Sequence, residues 1–274
     1  MASARTVSPL RPATLASLAV MAAVGALLPL ARAHAGDAPA DESTYEGGNT
    51  ANATGYVKGK PVSITHSSGN LSVHCMDTET LSTRMQYVVS GTAQDPMEAT
   101  GKGIGLAAYG DSNGGRISTR VPGKQGGVSD IEVTLSVSIP RAPLTLNITN
   151  SGSGWVQVQD CDGTVNVHAG AGGAFASGAM NAANVTASGG DVKVVEQSDA
   201  VFKSPTTVSA PGGNATLLLG TAQGGKITVK GATVSVGPTV MGTNTATLVS
   251  GDLGLGGTTI SVSAKETATV NNNQ

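Results

Sequence analysis

From residue 131 onward the chain keeps repeating one device: a few residues of alternating apolar and polar side chains, then a corner built from Gly, Asn, Asp or Ser. The strings include "IEVTLSVSI", "LTLNI", "WVQV", "TVNV", "NVTA", "DVKVV", "ATLLL", "KITVK", "TVSV", "ATLVS", "TTISVS" and "TATV". Period-two alternation puts successive side chains on opposite faces of an extended chain, so each string predicts a short strand with one apolar face. Corners such as "NSGSG", "CDGT", "ASGGD", "APGGN" and "SGDLGLGG" supply residues that turn sharply at positive φ. Predicted strand centres fall near Leu146, Val156, Val165, Val185, Val194, Leu217, Ile227, Val234, Leu248 and Ile260.

An all-β chain with strands this short and evenly spaced fits two architectures. One is a β-solenoid, a parallel β-helix-like coil in which each turn stacks on the last. The alternative is a β-sandwich or roll. The solenoid is favoured, because the corners rely on glycine, the inward residues are small and β-branched, and Asn-Gly hairpin signals are absent from this stretch. Composition points the same way. A large apolar side chain contributes about 1.5–3 kcal/mol on burial, yet this chain has 38 glycines, two Phe and one Trp. Its stability must come from many small contacts between like neighbours, as in repeat proteins.

The N-terminus has a different character. Arg5 and Arg11 precede an uncharged apolar run, Ala13 to Leu30, closed by Pro29 and "AHA" at Ala33–Ala35. These are the three parts of a secretory signal, so residues 1–35 are expected to be removed before Gly36. The run is Ala/Gly-rich and short for a bilayer that needs about 20 apolar residues. No later segment could span a membrane. Residues 36–54 read as a flexible leader, 55–265 as the strand-repeat domain and 266–274 as a C-terminal tail. Within the domain, 56–138 is less regular, and "GKGIGLAAYGDSNGG" reads as a loop between strands. The predicted location is outside the cytoplasm, in the periplasm or at the cell surface. The chain carries 16 basic and 18 acidic residues, and cleavage would remove Arg5, Arg11 and Arg32 but no acid. An acidic surface of this kind offers nothing to collect phosphates, which excludes nucleic acid as an expected partner.

Two stretches carry a family likeness: "KPVSITHSSGNLSVHCMDTETLSTRMQYVVSG" and "IEVTLSVSIPRAPLTLNITNSGSGWVQVQDCDGTVNVHAGAGG". With the early strand "SGNLSV", the proline step "VSIPRAPLTLNI" and the steps "GWVQV", "GTVNV" and "GDVKVV", residues 57–262 resemble the bacterial putative-adhesin family of exported β-strand-repeat proteins, also known as a domain of unknown function. The resemblance implies a solenoid-like β fold outside the cytoplasm and brings no catalytic residues. The chain departs from the pattern in its two cysteines and in "AGAGGAFASGAMNAAN", which blurs the strand register near Phe175.

Cys75 and Cys161 are the sharpest local feature, and in an oxidising compartment they are expected to form a disulfide. With His74 and His168 they supply zinc-type ligands. However, His74 and Cys75 are consecutive on a strand and point to opposite faces, so no metal site is expected. Asp160 and Asp162 flank Cys161 and could be paired carboxylates of a glycoside-cleaving enzyme. Beside "GT" they read instead as turn residues. Trp155 reads as a plug of the core or as a surface contact. "GKGIGL" (Gly101 to Leu106) lacks the strand and helix that a phosphate loop needs, and "TNTAT" (Thr243 to Thr247) is too isolated for an ice-binding threonine ladder. Five N-x-S/T sequons stand at Asn52, Asn70, Asn147, Asn184 and Asn214.

The expected function is therefore non-enzymatic: an exported β-repeat protein, without cofactor, acting by surface contact in adhesion or in envelope or matrix structure. Its partners would be polysaccharide or protein of the cell surface or envelope. A carbohydrate-active or carbohydrate-binding β-helix and a periplasmic partner in envelope signalling are the alternatives.

Overall fold

A computed structural model describes residues 43–254 and 257–272; the expected signal sequence, 1–35, lies outside them. The irregular first part comprises β1 (Ser43–Ala53), β2 (Val62–His66), β3 (Asn70–Met76), β4 (Leu81–Gly91), α1 (Gln94–Gly103), β5 (Gly105–Asp111), β6 (Gly114–Arg120) and β7 (Val128–Pro140). The repeats follow as β8 (Leu144–Asn150), β9 (Val156–Gln159), β10 (Gly163–Ala169), β11 (Ala174–Gly178), β12 (Met180–Ala187), β13 (Val192–Glu196), β14 (Thr206–Ala210) and β15 (Ala215–Leu219). The chain closes with β16 (Gly225–Lys230), β17 (Thr233–Val236), β18 (Met241–Asn244), β19 (Leu248–Asp252), β20 (Thr258–Ala264) and β21 (Thr267–Asn272).

These strands build two large mixed sheets over one common core, and neither closes into a barrel. The ten-stranded sheet runs β1-β4-β7-β3-β9-β11-β13-β15-β21-β17, and the eleven-stranded sheet runs β18-β19-β16-β20-β14-β12-β10-β8-β2-β6-β5. From β8 to β17 successive strands alternate between the sheets, and as far as β14 and β15 next-but-one strands within each sheet pair in parallel. Of the architectures open to the sequence, the structure establishes what solenoid and sandwich share, an all-β fold of two large sheets. Antiparallel pairs enter only near the ends, as β1–β4–β7, β5–β6 and β16–β19–β18.

Alternation explains the core. In the eleven-stranded sheet one inward column runs Ile117, Ile64, Ile148, Val167, Val185, Val208, Val262 and Val229 in unbroken register, every member buried. Branched side chains of one size pack efficiently on a pleated surface. Aromatic anchors are scarce because the gap between the sheets is filled by repetition. Phe202 is the largest fully buried side chain.

Chain order and stacking order differ at both ends. Strands β2 and β3 lie between β6 and β8 and between β7 and β9, although β4 to β7 follow them in sequence. Similarly, β20 sits between β14 and β16, and β21 between β15 and β17.

Three expectations are corrected. The leader (36–54) supplies β1 at Ser43–Ala53, an eleven-residue strand registered against β4. Glycines there hide the alternation, and Gly47 lies so close under the Tyr87 ring that a Cβ would strike it. The expected tail (266–274) contains β21, a strand paired on both sides. The stretch read as a loop holds the end of α1 and the β5–β6 hairpin, whose Asp111 Oδ1 accepts from the amides of Asn113 (2.7 Å) and Gly114 (3.1 Å).

Candidate functional site

The outward positions of the eleven-stranded sheet form two straight columns of small polar side chains. Ser63, Asn147, Asn166, Asn184, Thr207, Ser261 and Thr228 stand in register in the first. Two residues on, Thr65, Thr149, His168, Thr186, Ser209 and Ser263 make the second. Their side chains bond to one another. Asn166 Nδ2 donates to Asn147 Oδ1 at 2.8 Å, Asn184 Nδ2 donates to Asn166 Oδ1 at 2.9 Å, and Ser263 Oγ donates to Ser209 Oγ at 3.2 Å. Parallel pairing sets the rungs about 4.8 Å apart. The result is a lattice of hydroxyls and amides, Arg116 ending its first column and Lys230 its second.

Alternation puts these polar residues outward, but it does not gather them into one face. Its signal was the sequons: Asn147-Ile-Thr149 and Asn184-Val-Thr186 are outward pairs of strands whose middle residue is buried. The threonine string that drew attention lies elsewhere, with Thr243 on β18 at the sheet edge.

Cys75 and Cys161 are disulfide-bonded, with Cα atoms 4.9 Å apart, and both are buried. The bond joins the neighbourhoods of β3 and β9, adjacent in the sheet though 86 residues apart in sequence. With both thiols so committed, the zinc set is undone; His168, the fourth of its members, stands on the opposite sheet in the polar columns.

The two aspartates hold the corner. Asp160 takes the left-handed conformation (φ 56°), the single non-glycine residue at positive φ among the described residues, and its Oδ2 lies 3.0 Å from His74 Nε2. Asp162 Oδ1 accepts from the Ala179 amide at 3.4 Å, and its Oδ2 lies 3.5 Å from Arg141 Nε. Within reach of the Asp162 charge, Glu196 is fully buried. Desolvation pushes its carboxyl up to about 8, against a hydrogen bond from the Met180 backbone and with a push from the Asp162 charge.

Trp155 does not plug the core. Val156 and Val158 point inward, so Trp155 lies on the outer face of the ten-stranded sheet, 50% exposed and on the sheet opposite the polar columns. "GKGIGL" spans the end of α1 and the start of β5. A shallow trough crosses β1, β4 and β7, lined by Glu46, Gly48, Arg84, Gln86, Glu132 and Thr134.

No protein-family profile and no curated protein matches the chain. Among solved structures it is similar to a "putative cell adhesion protein" from Clostridium sporogenes, at 12% identity and TM-score 0.46, covering 84% of this chain and 100% of that one. It is also similar to a "putative adhesin" from Bacteroides fragilis, at 12% identity and TM-score 0.35, covering 84% and 98%. A "putative lipid binding protein" from Parabacteroides distasonis follows at 10% identity and TM-score 0.30, covering 86% and 98%. At this level of likeness nothing about function passes from those proteins to this one.

Proposed function

We propose that the chain is an exported, non-enzymatic β-solenoid that acts by surface contact, in adhesion or in envelope or matrix structure, through the polar face of its eleven-stranded sheet. In this reading each strand of that sheet and the strand that follows in the other make one coil. The observation that carries it is the chain of Asn147, Asn166 and Asn184, side chain bonded to side chain across three rungs. Groups already held in place lose little freedom on binding, so a partner meets a preorganised surface. An extended polysaccharide or peptide laid along the stack would find equivalent donors and acceptors at every rung. The disulfide and the signal-like N-terminus support an extracytoplasmic site, because such bonds persist where the surroundings oxidise.

The test is binding of purified protein to intact cells and isolated envelope. Asn166→Lys and Thr207→Lys place charged side chains on the face, whereas Thr216→Lys places one on the opposite sheet. The face variants should lose at least about tenfold in apparent affinity, or 1.4 kcal/mol, with Thr216→Lys unchanged. Equal binding by all would remove the face from the function.

A further inference from the structure

Trp155 is held in a way that no packing need explains. In register with β11 it stands opposite Gly173, and its ring carbons Cη2 and Cζ3 lie 2.6 and 2.7 Å from where a Cβ on that glycine would be. The indole therefore reclines across the sheet in the space a side chain would fill. The six-membered ring thus lies over Gly173 while half of the residue stays exposed. The backbone beneath is fixed as well, since the Trp155 amide donates to Asn70 Oδ1 at 3.0 Å.

On the far side of Gly173 stands Asp191. Its carbonyl accepts from the Ala174 amide at 2.9 Å, which sets it one strand beyond the glycine. Its Oδ1 accepts from both the backbone amide (2.7 Å) and the side-chain Nδ2 (3.1 Å) of Asn214, so the carboxylate is held still. The backbones of Trp155 and Asp191 are two strand spacings apart, about 10 Å; the indole covers the nearer part of that interval over Gly173, and the carboxylate lies further along the same face, over Gly213. A half-exposed indole with a clamped acceptor further along the same face has a matching chemical class. A pyranose offers a face of C–H bonds, slightly positive and suited to the negative face of an indole, and it carries hydroxyls at its rim that donate to a carboxylate. The charge of Asp191 favours a neutral sugar over an acidic one.

We propose that Trp155 and Asp191 form a saccharide subsite on the ten-stranded sheet, in which a neutral pyranose stacks on the indole and donates hydroxyl hydrogen bonds to the carboxylate. The subsite lies on the sheet opposite the polar columns and stands whether or not they bind anything.

Because Trp155 is the chain's single tryptophan, its fluorescence reports this subsite alone. The full chain is titrated with cellohexaose, laminarihexaose, mannohexaose and chitohexaose, with glycerol at matched osmolarity as control. At least one hexaose should give a saturable spectral shift that glycerol does not. Asp191→Asn should weaken that binding about tenfold or more. Trp155→Ala, followed by calorimetry, should abolish it with the melting temperature unchanged, since the ring is outside the core. Asn166→Lys should leave it intact. The proposal is overturned if all four hexaoses merely track glycerol, if Asp191→Asn binds like the parent, or if Trp155→Ala still binds.

Discussion

Asn166 gives and receives a hydrogen bond within its column, so it carries more of that order than any neighbour named above. Asn166→Ala removes both bonds at an exposed position and should lower the unfolding free energy by about 1–2 kcal/mol, at the usual net worth of such bonds. Urea denaturation measures this directly. Two buried titratable residues set the pH response. Burial pushes Glu196 up to about 8, so between its ordinary value of 4.5 and that point the folded chain keeps a proton that the unfolded chain releases. Stability therefore falls as pH rises through this window, by an amount on the order of a few kcal/mol, and levels off above it. Glu196→Gln should flatten the curve between pH 6.5 and 8. His66 has the opposite sign. Buried, with Nδ1 2.7 Å from Thr119 Oγ1, it is lowered from 6.5 to about 4, so stability is lost as pH falls across that span. A pH series of melting temperatures on the parent chain and Glu196→Gln separates the two.

The elements depend on what glycine permits at a few corners. Gly163 opens β10 at φ 96°, where a Cβ would stand 2.6 Å from the Leu144 amide nitrogen on the paired β8. Gly163→Ala should destabilise by more than about 1 kcal/mol, whereas Gly123→Ala, with nothing within 4 Å, should not. The Cys75–Cys161 bond closes a long loop that holds β4 to β9. Its removal in Cys75→Ser/Cys161→Ser should cost about 2–5 kcal/mol, read as a lower melting temperature that the parent reproduces under reductant. Strands were legible where valine alternates with polar residues: each strand centre read from the sequence, from Leu146 to Ile260, falls within a strand. In β11, "AFASG", the inward residues are small and the large apolar Phe175 faces out, so the contrast reads the wrong way, and in β1 paired glycines leave none to read. The site was half legible. "WVQV" already places Trp155 outward, because both valines must face in. That Gly173 would lie beside it depends on strand pairing, which alternation within one strand does not encode.

At the scale of the whole molecule, neighbours in space are not always neighbours in sequence. Deleting residues 258–274 removes β20 and β21 from inside the stack, taking with them the strands against which β16 and β17 pair. Hydrogen exchange should then show lost protection at Ile227 and Val229 and retained protection at Val165; persistent protection at Ile227 would contradict this order. Such stacking also governs assembly. A ladder threaded in sequence could lock rung by rung as it emerges from a ribosome or a membrane pore. Here the berth beside β14 and β15 must stay empty, or be vacated, until β20 and β21 have been made. The strands β16 to β19 therefore exist before the rung that separates β16 and β17 from the rest of the stack, and they wait for it.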